Sequence, residues 1–510
     1  MNWIKKLPSL LFCSLLLGSL LTACSLPTSL PAWIVPPTET PIPSPTSVPT
    51  KVETPTATVQ IVEIIIETEP APTKTVFIPT ETITPTPLST DLKQGGPWMV
   101  YSAVDGMWVI NQDGSALTRI SEDTPLKSHR LQDGAAPVGP NLVYLTAEKD
   151  WYHLTLKIVS LPDGASEVIS PLTSPETEPR AGITSAKDLS EDVQVLLQND
   201  TFAWSPGGTH LAFIGAMSGT STELYLYSVK EKMVMQITSD SGQVLSPVWS
   251  PAGTYIVFLG VRSLGDENGY IQMNMWTYRT DTGEVIWLYR PKDSGREVIL
   301  GWVDDSNFLV YSWNPDGLSN LRRFDITTRK DEVIWEGKFS SAAYDPKSQK
   351  IMLVLSQPQV AAEDQGVFLI SPAGGDRTFV LIEDASNAEW IPEAGYFSLN
   401  TPNGIVMLSP TGNTFRMPVS ELGQMFASAD GKRLGWYGAG GVLIGEVARL
   451  GQNPPVQVYK SPVTAAAWAP DSETIFFFSL GGLFKIQPPY DNPVLIKPGV
   501  ASQDVAWIKP

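Results

Sequence analysis

Two carboxylate pairs stand in stretches without hydrophobic periodicity, Asp266-Glu267 (followed by Asn268) and Glu363-Asp364. Paired oxygen ligands of this kind can hold Ca²⁺, and two carboxyl groups set across a sugar can serve as acid and base in glycoside cleavage. A solvated acidic loop is the ordinary state of such pairs, so no metal and no catalytic residue is assigned to them. Aromatics near the same kind of stretch carry a stronger signal: Trp151-Tyr152, Tyr270 and Trp313. An aromatic at a loop tip either packs locally or meets a partner. Together, Trp151, Tyr152, Asp266, Glu267, Tyr270, Trp313, Glu363 and Asp364 form the expected ligand-binding face.

Other chemistries find no support. The three His, at 129, 153 and 210, form no pair at metal-ligand spacing, and no G-x-S-x-G nucleophile elbow occurs. No phosphate-cradling Gly loop opens a helix, so no cofactor is expected. Asp304-Asp305, Asp345, Asp430 and Asp471 fall in recurrent turns, where Asp ordinarily bonds the backbone.

These side chains need a frame, and the frame is repetitive. Ala203-Trp204-Ser205-Pro206-Gly207-Gly208-Thr209-His210-Leu211-Ala212-Phe213 reads as a strand, a tight turn and a second strand. Glu223–Val229 and Met233–Ile237 continue as a third and a fourth strand. Echoes of the Trp-turn-strand unit centre on Trp249, Trp302, Tyr344, Trp390, Phe426 and Trp468, and a degenerate one lies near Ala135-Ala136-Pro137. Four short strands in about 40 residues make one propeller blade. The last copy, Val505-Ala506-Trp507-Ile508, is a first strand with nothing after it, and Trp98–Ser102 begins on a second strand with nothing before it. The C-terminus therefore supplies the strand that the first blade lacks, Val505 to Ile508 being expected beside Met99 to Ser102, which removes two free edges.

These residues resemble the TolB-like, or WD40-like, β-propeller repeat of bacteria, whose hallmark is W-S-P-D-G between two strands. The resemblance covers about residues 97 to 510. It implies an all-β fold: a single closed propeller of four-stranded antiparallel blades, eight or nine of them. The chain departs from TolB itself in lacking an N-terminal α/β domain. By resemblance, partner binding is the default role of such a ring.

In place of that domain stand two other materials. Residues 1–23 have a basic start at Lys5-Lys6 and an apolar run from Leu10 to Leu21, too short to read as a spanning helix. Leu21-Thr22-Ala23-Cys24 resembles the lipobox of bacterial lipoproteins, in which the Cys thiol carries a diacylglyceryl group and cleavage falls before it. Residues 24–96 are rich in Pro and Thr, and such a composition reads as an extended, disordered linker able to reach on the order of 200 Å at ~3.1 Å per residue. A β-prone interruption, Ile61–Glu67, reads as a sticky piece of that linker. Cys13 and Cys24 are the two cysteines, so no disulfide is expected in the mature chain.

The formal charge of −18 argues against nucleic acid as a partner. The expected protein is a monomeric, non-enzymatic, extracytoplasmic binding or scaffold protein. It would be held to the membrane by its lipid and recognise a protein, peptide or glycan at the cell envelope. The alternative is an envelope-anchored hydrolase or lyase acting on carbohydrate through loop carboxylates. Antiparallel alternation puts the long second-to-third loops, Gly260 to Tyr270 and Ser356 to Gly366 among them, and the inter-blade links, the longest from Pro171 to about Asp200 with a helical turn around Asp188 to Leu197, on one face of the ring, with the short turns and the linker junction at Trp98 on the other. The elaborated face is then expected to point away from the anchor. The lipid assignment makes a direct prediction: Cys24→Ser yields soluble or uncleaved protein, and continued recovery of a processed, detergent-phase form would remove the assignment.

Overall fold

The computed structural model describes Val76–Phe77 and, with short interruptions, residues 91–510. Among the interruptions are 148–152, 175–189, 266–268, 314–318 and 356–364.

One turn recurs through the chain and fixes the local structure. The Ser205 N–H donates to the His210 carbonyl and the Gly208 N–H to the Ser205 carbonyl, each at 2.9 Å. The Ser205 hydroxyl accepts the His210 N–H at 3.0 Å. The same backbone pair of bonds forms at Ser250, Ser428 and Ala469, and the hydroxyl bond at Ser250 and Ser428. The fourth turn residue is left-handed each time: φ is 66° at Gly208, 76° at Gly253, 69° at Gly431 and 61° at Ser472. Glycine takes that conformation without steric cost. At Gly208 it also allows close approach, since a Cβ there would lie 2.0 Å from the Val138 carbonyl oxygen of the adjacent turn.

The strands assemble into nine sheets. Blade 1 runs Val505–Ile508, Trp98–Ala103, Gly106–Asn111, Thr118–Ser121. Blade 2 has three strands, Asn141–Ala147, Leu154–Ser160 and Glu167–Pro171. Blade 3 runs Phe202–Trp204, His210–Gly215, Glu223–Ser228, Met233–Gln236, and blade 4 Gln243–Trp249, Tyr255–Gly265, Gly269–Arg279, Glu284–Tyr289. Blades 5 to 9 repeat the four-stranded order between Arg296 and Pro498. The degenerate copy is therefore a real blade, and nine is the count. In blade 2 the repeat turn survives, with Ala136 N–H donating to the Asn141 carbonyl and Gly139 at φ 94°. Its first strand is reduced to a bridge between Ala135 and Leu142, preceded by a short helix at Leu131–Gly134.

Packing explains the hydrophobic pattern. Second and third strands lie between neighbouring blades and are apolar on both faces, as in Ile475–Ser479 and Gly366–Ile370, buried throughout. The core therefore lies between blades: Met99, Tyr101 and Trp507 of blade 1 pack on Phe476, Phe478 and Leu483 of blade 9. Two repeat tryptophans also tie blades through hydrogen bonds. Trp204 donates its indole N–H to the Gly134 carbonyl at 2.8 Å, and Trp249 to the Ala203 carbonyl at 2.9 Å. Fourth strands form the rim and carry most of the exposed large apolar side chains, among them Trp287, Val333, Phe379 and Val456.

Two expectations shift. The stretch 260–270 is not a loop: strands Tyr255–Gly265 and Gly269–Arg279 continue into it, pairing as far as Gly265 with Gly269, so only 266–268 is left for the connection. The register at the closure is one residue earlier than expected, because pairing begins at the first residue of the second strand: Trp98 faces Ile508 and Tyr101 faces Val505. Ala506 and Ile508 are buried there. Deleting residues 505–510 exposes that edge and is expected to cost several kcal/mol, seen as a clear drop in melting temperature. Unchanged melting would show that the C-terminal strand does not hold the ring closed.

Candidate functional site

Hydrogen bonds between blades sort the connections onto two faces. On one face short turns meet short turns: Ala252 N–H donates to Asp305 at 2.9 Å, and Arg433 to the Ser472 carbonyl at 2.8 Å. Third-to-fourth turns join them, with Thr280 donating to the Gly253 carbonyl at 3.0 Å. On the other, the connection face, second-to-third loops meet inter-blade links. Thr222 donates to Gln243 through its N–H (2.8 Å) and its hydroxyl (2.9 Å), and Gly499 N–H donates to the Gly481 carbonyl at 3.1 Å.

The expected site residues relate to this face unevenly. Trp151, Tyr152, Asp266, Glu267, Glu363, Asp364 and Cys24 lie outside the described residues. Tyr270 and Trp313 are described in backbone alone: Tyr270 pairs with Leu264, and Trp313 pairs with Arg296 at the connection-face end of blade 5. The strands flanking these stretches belong to blades 2, 4, 5 and 6, so the set is spread around the ring. The link after blade 2 includes a helix, Glu191–Gln198, where a helical turn was expected around Asp188–Leu197; Val193, Val195 and Leu196 bury it against the core.

At the connection-face end of blade 2 lies a cleft of about 440 Å³. It is lined by Asp123, Thr124, Thr146, Ala147, His153, Thr155, Lys157 and Val168. Register explains the lining. Thr146 faces Thr155, Tyr144 faces Lys157, and Val168 faces Lys157, so the period of two puts these side chains on one face of the sheet. Lys157 Nζ donates to Asp123 Oδ2 at 2.7 Å, and the Ser121 hydroxyl donates to the same oxygen at 2.7 Å. Burial alone would raise the Asp123 pKa, but these two bonds outweigh it and hold the carboxyl below its usual range. An aspartate kept ionised by a lysine is a poor general acid. The Tyr144 phenol beside them is pushed up to about 12 by burial. The cleft thus carries an internally neutralised pair and three threonines, a set suited to hydrogen-bonding a neutral polar ligand.

Sequence reading passed over Asp123, Thr146, Thr155 and Lys157. The signal was the alternation in Leu154-Thr155-Leu156-Lys157-Ile158, because a third strand sandwiched between blades is apolar on both faces and this one is not.

The turn aspartates are occupied by backbone. Asp304 Oδ1 accepts the N–H groups of Ser306 and Asn307 at 2.8 Å each, and Asp471 Oδ1 those of Glu473 and Thr474. His129 bonds Thr201 at 2.9 Å and stacks on Phe202, and His210 bonds Thr209 at 3.0 Å. Among the described residues no group of three His, Cys, Asp or Glu comes together.

A second cluster sits where first strands begin. Asp504 Oδ2 accepts the Leu131 N–H at 2.6 Å, and Arg130, Asp133 and Tyr437 lie within electrostatic range. Burial pushes the Asp504 carboxyl up to about 6, against the pull of its backbone donors and Arg130. The folded ring therefore holds a proton that the unfolded chain releases near 3.8, and this contribution is lost as pH rises through about 6. Asp504→Asn keeps the acceptor without the charge. Its stability relative to wild type is expected to rise by roughly 2–3 kcal/mol between pH 4 and 7 in parallel denaturant melts. A difference that stays flat with pH would contradict the burial of this carboxyl.

No known family model matches the chain, and no curated protein matches it. Solved structures do. A eukaryotic initiation factor structure aligns with a TM-score of 0.52 at 10% identity, covering 81% of this chain and 98% of that one. TolB from Acinetobacter baumannii aligns at 0.29 and 17% identity over 56% of this chain and 64% of its own. The C-terminal WD40 domain of Sif2 aligns at 0.39 and 13% over 70% and 96%. At these identities the likeness concerns the fold alone. Among the described residues no helix is long and apolar enough to cross a membrane.

Proposed function

We propose that this chain is a non-enzymatic binding protein of the bacterial cell envelope, lipidated at Cys24, whose ring recognises a protein, peptide or glycan on its connection face. The observation that carries the reading is the asymmetry between the faces. One carries short turns that bond across blades, while the other carries connections of unequal length and the blade 2 cleft. Variable loops on a rigid scaffold are where recognition usually resides. The cleft chemistry favours a ligand rich in hydroxyl or amide groups over an anion, because Lys157 is already engaged by Asp123.

The test uses the soluble Cys24→Ser chain against a glycan array and an envelope extract. Trp151→Ala, Trp313→Ala and Thr155→Val are each expected to weaken the captured partner by roughly tenfold or more, about 1.4 kcal/mol, without lowering the melting temperature. Full retention of binding in all three variants would move the site off this face.

A further inference from the structure

Val76–Phe77, inside the stretch expected to be linker, forms a strand on the outer edge of blade 3. The pairing is antiparallel, with Val76 opposite Met235 and Phe77 opposite Val234. Blade 3 is thereby the one sheet of five strands among the described residues. We infer that the edge Met233–Gln236 is a strand-addition site for the chain's own linker, and that this docking makes the linker leave the ring on the connection face.

Edge chemistry supports the choice of blade. Rim strands expose unpaired backbone groups, and proteins blunt such edges with charge or Pro. Arg119, Glu167 with Pro171, Glu284, Lys330 to Glu332, Arg416, and Lys497 with Pro498 do so on blades 1, 2, 4, 5, 7 and 9. Met233-Val234-Met235-Gln236 has neither device. The rim strands of blades 6 and 8, Thr378–Leu381 and Val456–Tyr459, are uncharged as well, and among the described residues neither carries an added strand. An extended β-branched segment adding to such an edge gains main-chain hydrogen bonds along the ladder.

Direction follows from topology. The fourth strand of blade 3 climbs from its short turn at 229–232 toward the connection face. An antiparallel fifth strand descends, so Phe77 points the chain toward the short-turn face, where Trp98 opens blade 1. The 13 residues from 78 to 90 span at most about 45 Å, ample to pass one blade when packed sheets lie about 10 Å apart. The chain before Val76 then departs from the connection face. This reverses the orientation expected from the junction at Trp98. The strand pairing itself does not rest on the lipid assignment or on the proposed function.

The experiment is cross-strand disulfide capture in the full chain with Cys24→Ser, which leaves Cys13 as the one native thiol. Facing residues of an antiparallel pair lie at disulfide distance. Val76→Cys with Met235→Cys is expected to close an intrachain disulfide on mild oxidation on the order of tenfold faster than Val76→Cys with Val494→Cys on the blade 9 rim. Pro79→Cys is expected to couple to Lys232→Cys in preference to Ser239→Cys. Melting under reducing conditions confirms that each variant folds. Absence of the Val76–Met235 crosslink overturns the docking, a dimer-sized product assigns the strand to a second copy, and preference for Ser239 overturns the direction of departure. Loss of partner binding in the Trp151 or Trp313 variants leaves these crosslinks unchanged, so the two readings fail separately.

Discussion

Every blade of this protein is too thin to stand alone, and closure of the ring is what makes each of them stable. A four-stranded sheet with apolar residues on both faces needs a neighbour on either side. Blades 2 to 9 receive that neighbour along the chain, but blade 1 receives its first strand from the far terminus, through Trp98–Tyr101 against Val505–Ile508. The aromatic contacts that result, Tyr101 tilted on Phe478 at 4.9 Å and Phe476 edge-on to Trp507 at 5.6 Å, span the same joint. The joint is therefore both backbone ladder and core.

Next to it sits the most irregular part of the ring, and the two are coupled. Blade 2 has lost its first strand, yet the short helix in its place splints the blades on both sides. Leu131 and Gln132 bond blade 1, through Asp504 and the Trp507 N–H, while the Gly134 carbonyl takes the Trp204 indole of blade 3. The missing strand is replaced by cross-blade hydrogen bonds. A partly buried aspartate is one consequence, since Asp504 accepts helix and strand N–H groups at a crowded junction.

The repeat turn made most of this legible from the amino acids. A Ser or Ala, a left-handed residue three positions on and an apolar run after it are local properties, and local properties survive in sequence. Pairing between the two termini was legible for the opposite reason, because an unmatched strand at each end leaves one economical solution. Features set by neighbours were not. Nothing in Gly260–Tyr270 alone distinguishes a loop from an extended hairpin, since Gly at both ends fits either. The Lys157–Asp123 pair joins residues from different blades, and Val76–Phe77 finds its place only when the Met233–Gln236 edge exists. Ile61–Glu67, the β-prone stretch singled out from sequence, lies outside the described residues.

The division of the ring into two unlike faces follows from the same geometry. Short turns are bound to each other across blades, as Asp305 is to Ala252 and Ser472 to Asp430, so a change of length in one disturbs its neighbour. The connection face is bonded across blades too, by Thr222 with Gln243, Ala388 with Ser341 and Tyr459 with Ser479 among the described residues, but its connections differ in length, from the tight Ser479–Gly482 turn to the helix-bearing link before Phe202. A cleft can open on the connection face at blade 2 because the strand sequence there turns polar on one side without touching the turn network. The polar side chains of that cleft thus lie apart from the turn bonds and from the closure ladder that build the frame.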